Sequence, residues 1–205
     1  MTHTPTHRVV LASASPARLA TLRAAGLDPE VVVSGVDESA VATTDPTALS
    51  VELARLKAHA VADRLSGPPA LVVGCDSVLE LDGEVHGKPG TAEVATARWR
   101  AMRGRAGVLH TGHCVVDTAT GHQVLRDART VVRFSALSDE EIAAYVATGE
   151  PLAVAGAFTI DGLGGAFVDG IEGDPHTVVG ISLPLLRQML AELGVAWHEL
   201  WTSRP

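Results

Sequence analysis

Val9-Val10-Leu11-Ala12-Ser13-Ala14-Ser15-Pro16-Ala17-Arg18 carries the chain from an apolar run through a serine-rich turn toward a helix. Residues 8–12 read as a short buried strand. Ser15 offers an N-cap oxygen, Pro16 takes the first helical position, and Gly26 closes a helix of about three turns. Strand, turn and helix in that order open an α/β chain. Outward from there, Val31–Val33 form a second strand, 34–45 a polar loop, and Asp45-Pro46 opens a helix through Val51, Leu53, Leu56, Ala60 and Leu65. Residues 70–75 are expected as an apolar strand ending at Asp76, with Asp82-Gly83 turning between 78–81 and 84–86. Thr91 caps a helix ending at Gly104, and strands 108–117 and 123–134 meet at Thr120-Gly121. Ser138 and Glu141 make a capping box for a helix ending near Gly149. A glycine-rich stretch, 156–173, precedes a helix at 182–193 and a last strand at 195–200. Because the central hairpins are antiparallel, the fold class is α/β with a mixed sheet flanked by helices.

Of 205 residues, 46% are hydrophobic and 20% charged, proportions that give a globular core and exclude disorder, collagen and coiled coil. No repeat or linker divides the chain, so residues 1–205 are expected as one domain or two intimately joined lobes. Seven aromatics leave Ala, Val and Leu to fill the interior. A net charge of −8 argues against a nucleic-acid polymer or an anionic membrane as partner. No run approaches the length of a membrane span, and Val9–Ser15 is too short and too broken by serine for an export signal. Cys75 and Cys114 read as reduced thiols, and a cytoplasmic location follows.

Three stretches could carry chemistry. In Ser13-Ala14-Ser15-Pro16-Ala17-Arg18, two hydroxyls and a guanidinium at a helix N-terminus could cradle phosphate; they could equally cap the helix, with Arg18 on a solvated face. In Val73-Gly74-Cys75-Asp76-Ser77-Val78, a carboxylate after an apolar strand could coordinate Mg²⁺ or take a proton from water, or merely cap a turn. The third is His86-Gly87-Lys88-Pro89. Lys57 and Lys88 are the only lysines beside fourteen arginines, which points to sites needing a compact ammonium, although chance survival or a surface position for Lys57 explains them too. Asp37-Glu38 is either metal-binding or a solvated acidic loop. A P-loop and a nucleophile elbow are absent, and His110 and His113, three apart on a strand, face opposite ways and cannot share a zinc ion.

Leu-Ala-Ser-Ala-Ser-Pro-Ala-Arg (11–18), Val-Asp-Glu (36–38), Ala-Arg-Leu-Lys-Ala (54–58), Gly-Cys-Asp-Ser-Val (74–78), Gly-Lys-Pro (87–89), Thr-Gly (111–112) and Ile-Asp-Gly-Leu-Gly-Gly-Ala (160–166) stand in an order that resembles the Maf family of nucleoside triphosphate pyrophosphatases. Val-Val-Gly-Ile-Ser-Leu-Pro-Leu (178–185) resembles its closing motif. The resemblance implies a two-lobed, inosine-triphosphatase-like fold with a central cleft (the Maf/Ham fold). It implies cleavage between the α and β phosphates of a nucleoside triphosphate with a divalent cation, Mg²⁺ or Mn²⁺, and a homodimer. By position, Asp76 matches the catalytic base; Ser13, Ser15, Arg18, Lys57 and Lys88 match phosphate contacts; Ser77 stands beside Asp76 where many members have Thr; Glu38 matches an acidic position near the metal.

An anionic substrate beside an acidic surface requires that the basic residues converge in one cleft. The departures bear on the base: Ala17 replaces an arginine, Gly107 a histidine, Ala153-Val154-Ala155-Gly156-Ala157-Phe158 a more polar run, and Asp161 a glutamine. Asp161 accepts hydrogen bonds but cannot donate them, which suits a base presenting an amino group. With few aromatics available, base recognition is expected to rest on backbone and polar contacts. The family is also associated with arrest of septum formation and cell division, so a regulatory nucleotide-binding role with incidental hydrolysis stands as the alternative.

Overall fold

A computed structural model describes residues 7–202; residues 1–6 and 203–205, which the sequence reading counts in the same domain, lie outside them. The strands are β1 (Arg8–Leu11), β2 (Glu30–Val31), β3 (Ala70–Leu81), β4 (Glu84–His86), β5 (Ala106–Asp117), β6 (Gln123–Phe134) and β7 (Val168–Glu172), all in one sheet. Its order is β2-β1-β3-β5-β6-β7, with β4 also paired to β3. β1 lies parallel to β2 and β3, and the remaining pairs are antiparallel, which makes the sheet mixed as expected.

The helices are α1 (Pro16–Ala24), α2 (Pro46–Ala62), α3 (Ala92–Met102), α4 (Asp139–Ala147), α5 (Pro175–Val179) and α6 (Leu183–Glu192). The four helix starts read from the sequence hold: Ser15, Asp45, Thr91 and Ser138 each accept a backbone N–H of the first turn, Ser138 and Glu141 complete a capping box, and Ser182 caps α6 in the same way. α2 covers one face of the sheet through Ala54, Ala58 and Val61, packed on Val10, Val72 and Cys114. α1 and α6 cover the other face at one end, around Leu11, Val73, Leu186 and Met189. α3 and α4 cover that face at the far end, where Trp99 is fully buried edge-on to Phe134 and Tyr145 and donates to the Ala157 carbonyl at 2.8 Å.

Four expectations are corrected. β3 does not end at Asp76; it runs unbroken to Leu81, because Asp76 pairs in register with Gly112 and its buried charge has a partner. The second strand is only Glu30–Val31. The glycine-rich stretch contains β7, and α5 follows it, opened by Asp174-Pro175 in the way Asp45-Pro46 opens α2. Residues 195–200 hold no strand: Trp197–Leu200 form a short 3-10 turn, with Glu199 N–H donating to the Ala196 carbonyl and the Glu199 carboxylate accepting from Ala196 N–H.

Two glycines set the distance between α2 and the sheet. A Cβ on Gly74 would meet the Ala54 carbonyl and lie 2.8 Å from Ala58 N, and one on Gly112 would meet the Ser50 backbone. Helix backbone therefore rests directly on β3 and β5. Beyond Val73 the edge of β3 toward β1 is uncovered until β4 joins at Leu79, since β5 occupies the opposite edge. This gap at residues 74–78 is where the cleft opens.

Candidate active site

A cavity of about 480 Å³ fills the gap and is lined by Ser13, Ser15, Arg18, Glu38, Lys57, Asp76, Ser77, Lys88 and Asp161, whereas Asp37 and His86, from the same candidate stretches, do not border it. That volume lies within the range of small-molecule sites. Successive side chains of a strand point to opposite faces, yet both Asp76 and Ser77 reach the cavity because it sits at the strand's open edge and not over one face. A smaller recess of about 210 Å³ shares Glu38, Asp76, Ser77 and Lys88 and is backed by Leu49, Leu53 and Val78.

Lys57 rises from α2, and its Nζ stands 2.5 Å from Asp76 Oδ1 and 2.6 Å from Glu38 Oε1. Lys57 and Asp76 are only 7% and 8% exposed, so Lys57 is no surface lysine and Asp76 no turn residue. Burial pushes the Asp76 carboxyl above the usual carboxylate range; Lys57 and Arg18 pull against it without cancelling it, and Glu38 adds to the push. Burial acts on Glu38 as well, but there the Lys57 hydrogen bond with the charges of Lys57, Lys88 and Arg18 prevails and holds its pKa low. The two carboxylates thus share one ammonium and differ in proton affinity.

Arg18 lies at the other wall. Its Nε donates to the Gly180 carbonyl at 2.7 Å, Nη1 to Ser13 Oγ at 3.1 Å and Nη2 to Ser77 Oγ at 3.2 Å. Thr111 donates its hydroxyl proton to the Thr177 carbonyl, so the 2.9 Å contact between Ser77 and Thr111 runs with Ser77 as donor. Arg18, Ser77 and Thr111 form one directed chain across the sheet. Gly180 has φ +113°, and a Cβ there would lie 3.0 Å from Arg18 Nε. Three guanidinium N–H groups are committed to the protein, which makes Arg18 a brace for Ser13 and Ser77 as well as a charge facing the cavity. Ser15 serves α1 as N-cap, accepting from Arg18 N–H at 3.4 Å.

His113, which the sequence excludes from a zinc site with His110, has a function in the fold that no sequence signal marks. It is fully buried, and its Nε2 accepts from Ser182 N–H at 2.9 Å while Nδ1 bonds the Thr111 carbonyl at 3.0 Å. A backbone N–H donor on one side and a carbonyl on the other admit only the neutral ring protonated at Nδ1. Burial holds its pKa down at about 4. His110 turns to the opposite face, bonded to Glu80 and Thr47. Cys75 and Cys114 are buried thiols pushed up to about 11 and 12, so neither acts as a nucleophile. Among the described residues no three His, Cys, Asp or Glu side chains cluster as a metal cage, and no helix is long and apolar enough to cross a membrane.

The profile of the family described as Maf-like protein matches residues 8–193. Among relatives, a protein named nucleoside triphosphate pyrophosphatase from Streptomyces coelicolor is 62% identical over 98% of this chain and 98% of its own. One of the same name from Salinispora tropica is 62% identical, covering 95% of this chain and 88% of its own. Among solved structures, the Ham1 protein of Staphylococcus aureus is similar at a TM-score of 0.46 and 12% identity, over 95% of this chain and 93% of that one. Matched along nearly its whole length and 62% identical to a full-length relative, a chain with this cleft belongs to the Maf family.

Proposed function

We propose that the chain hydrolyses nucleoside triphosphates in the cytosol, attacking the α phosphorus with water and releasing monophosphate and pyrophosphate. One observation carries the reading: a buried carboxylate of raised proton affinity, Asp76, borders the same cavity as Lys57, Lys88 and Arg18. A base works best when its pKa approaches the working pH, and Asp76 is shifted that way. A triphosphate brings about four negative charges that must be neutralised as the bond to the leaving pyrophosphate breaks. Lys88 and Lys57 meet this with compact ammonium groups, and Arg18 adds a braced guanidinium.

The donor set fits a divalent cation. Mg²⁺ is held typically by one or two carboxylates together with substrate phosphates, and Glu38 and Asp76 converge on a single cationic point. These two residues would hold the ion, which when bound supplies charge neutralisation and an acidified water. Ser13 and Ser15 offer hydroxyls to the phosphates, and Ser77 fixes Arg18. At the nucleoside end Asp161 and Thr159 line the cavity among small aliphatic side chains, with Phe158 as its aromatic member. Asp161 there reads a base through an exocyclic amino group.

Initial rates over a panel of common and methylated nucleoside triphosphates, with products identified, test the reading. Monophosphate and pyrophosphate are expected in equal amounts, and release of inorganic phosphate instead would assign another phosphohydrolase. Asp161→Asn is expected to change the ranking of bases; an unchanged ranking removes Asp161 from base recognition.

A further inference from the structure

Away from the phosphate end, one carboxylate gathers hydrogen bonds from three parts of the chain. Glu150 follows α4 directly. Its Oε1 accepts from the Tyr145 hydroxyl at 2.9 Å, the Thr159 hydroxyl at 2.5 Å and Gly164 N–H at 3.0 Å, and its Oε2 accepts from Leu163 N–H at 3.0 Å. The glycines around it are there for access: a Cβ on Gly162 would lie 2.7 Å from Glu150 Oε2, and one on Gly164 would meet the Tyr145 hydroxyl. Thr159 and Asp161 line the cavity, while Glu150 does not.

We propose that Glu150 is a positioning residue for nucleoside recognition, its carboxylate clasping residues 159–164 so that Thr159 and Asp161 meet the nucleoside in one geometry. This rests on the pyrophosphatase reading above. Residues 160–165 include three glycines, which lose the most backbone freedom when ordered. Ordering them before the substrate arrives removes that cost from binding. Against burial, the donors hold the carboxyl down at about 2, so the clasp keeps its charge at any working pH.

The Lys88 loop is tied separately. Gly90 N–H donates to the Leu152 carbonyl at 3.1 Å, and the Gly87 carbonyl accepts from Gly156 N–H at 3.2 Å and from Arg98. None of these bonds uses the Glu150 side chain, so loss of the clasp should spare the phosphate end.

Glu150→Gln tests this, because an amide keeps one acceptor oxygen and presents an NH₂ where a second acceptor was. The expected result is KM for a nucleoside triphosphate raised about tenfold, kcat within about threefold, and inhibition by inorganic tripolyphosphate within about twofold of wild type. Glu150→Asp, which keeps the charge, should fall between. An unchanged KM in folded Glu150→Gln, a fall in kcat alone, or tripolyphosphate inhibition weakened in parallel with KM would each overturn the proposal. If Glu150→Gln does not fold, Tyr145→Phe removes one donor and should raise KM about two- to threefold; no change overturns it. If wild type releases pyrophosphate from no nucleoside triphosphate, the enzymatic reading is what fails. The clasp is then judged by the dissociation constant of a nucleoside triphosphate, and equal values in wild type and Glu150→Gln overturn it.

Discussion

Asp76 lines the cleft and Glu150 lies behind its far wall, bonded to Thr159, and the two carboxylates are held in opposite ways. Asp76 is buried against one lysine, and desolvation wins, leaving a carboxylate that binds protons more readily than usual. Glu150 is surrounded by two hydroxyls and two backbone N–H groups, and hydrogen bonding wins, leaving a carboxylate that stays ionised down to about pH 2. The difference lies in what faces the oxygens. An ammonium of matching charge offsets desolvation only in part, whereas four oriented donors satisfy most of a carboxylate's lone pairs. One arrangement suits proton transfer and the other suits holding a loop still.

Breaking the Asp76 end should have the largest effect. Asp76→Asn is expected to lower kcat by about 10³-fold with KM nearly unchanged, the reverse of the pattern at Glu150, as steady-state kinetics will read. Lys57→Ala should follow. It strands Asp76 and Glu38 and should cost about 3 kcal/mol at neutral pH by urea unfolding. Because the Asp76 pKa is raised in the folded state, folding favours proton binding there, and the stability this contributes is lost as pH rises through that pKa. The Lys57→Ala deficit should therefore shrink as the pH is lowered.

The pH dependence of stability sharpens the contrast further. His113 has its folded pKa depressed to about 4 from 6.5, so its contribution is full above 6.5 and lost as pH falls through 4. Wild type should lose about 3 kcal/mol across that window, and His113→Gln, if folded, should lose much less. Glu150, depressed to about 2 from 4.5, contributes fully above 4.5 and loses its effect as pH falls through 2. In acid titrations followed by circular dichroism, Glu150→Gln should flatten only this lower window, the smallest of the effects.

Much of the fold was legible because caps and turns are local. Ser15-Pro16, Asp45-Pro46, Thr91, Ser138 and Ser182 mark helix starts by bonds that span three residues. Errors came where distant pairing decides. Asp76 looks like the end of a strand until Gly112 and Lys57 supply its partners, and β7 forms only because the outer edge of β6 at Val131–Phe134 is there to pair with it. The aromatics also took their places by packing: Trp99, Phe134, Tyr145, Phe158 and Phe167 gather at the α3–α4 end, leaving Phe158 alone at the cavity wall.

The sequence by itself determined the order of strands and helices as far as α4, the residue types of the phosphate end and the resemblance that joins its scattered motifs, since each is carried by short runs of neighbouring residues. Only the tertiary structure decided that Lys57 would be buried between two carboxylates, that Arg18 would brace Ser13 and Ser77, and that Glu150 would reach across to 159–164. The physical reason is that proton affinity depends on burial and on which donors face a group. Those partners come from residues up to 162 positions apart in the chain, as Arg18 and Gly180 are, and meet only when the sheet has formed.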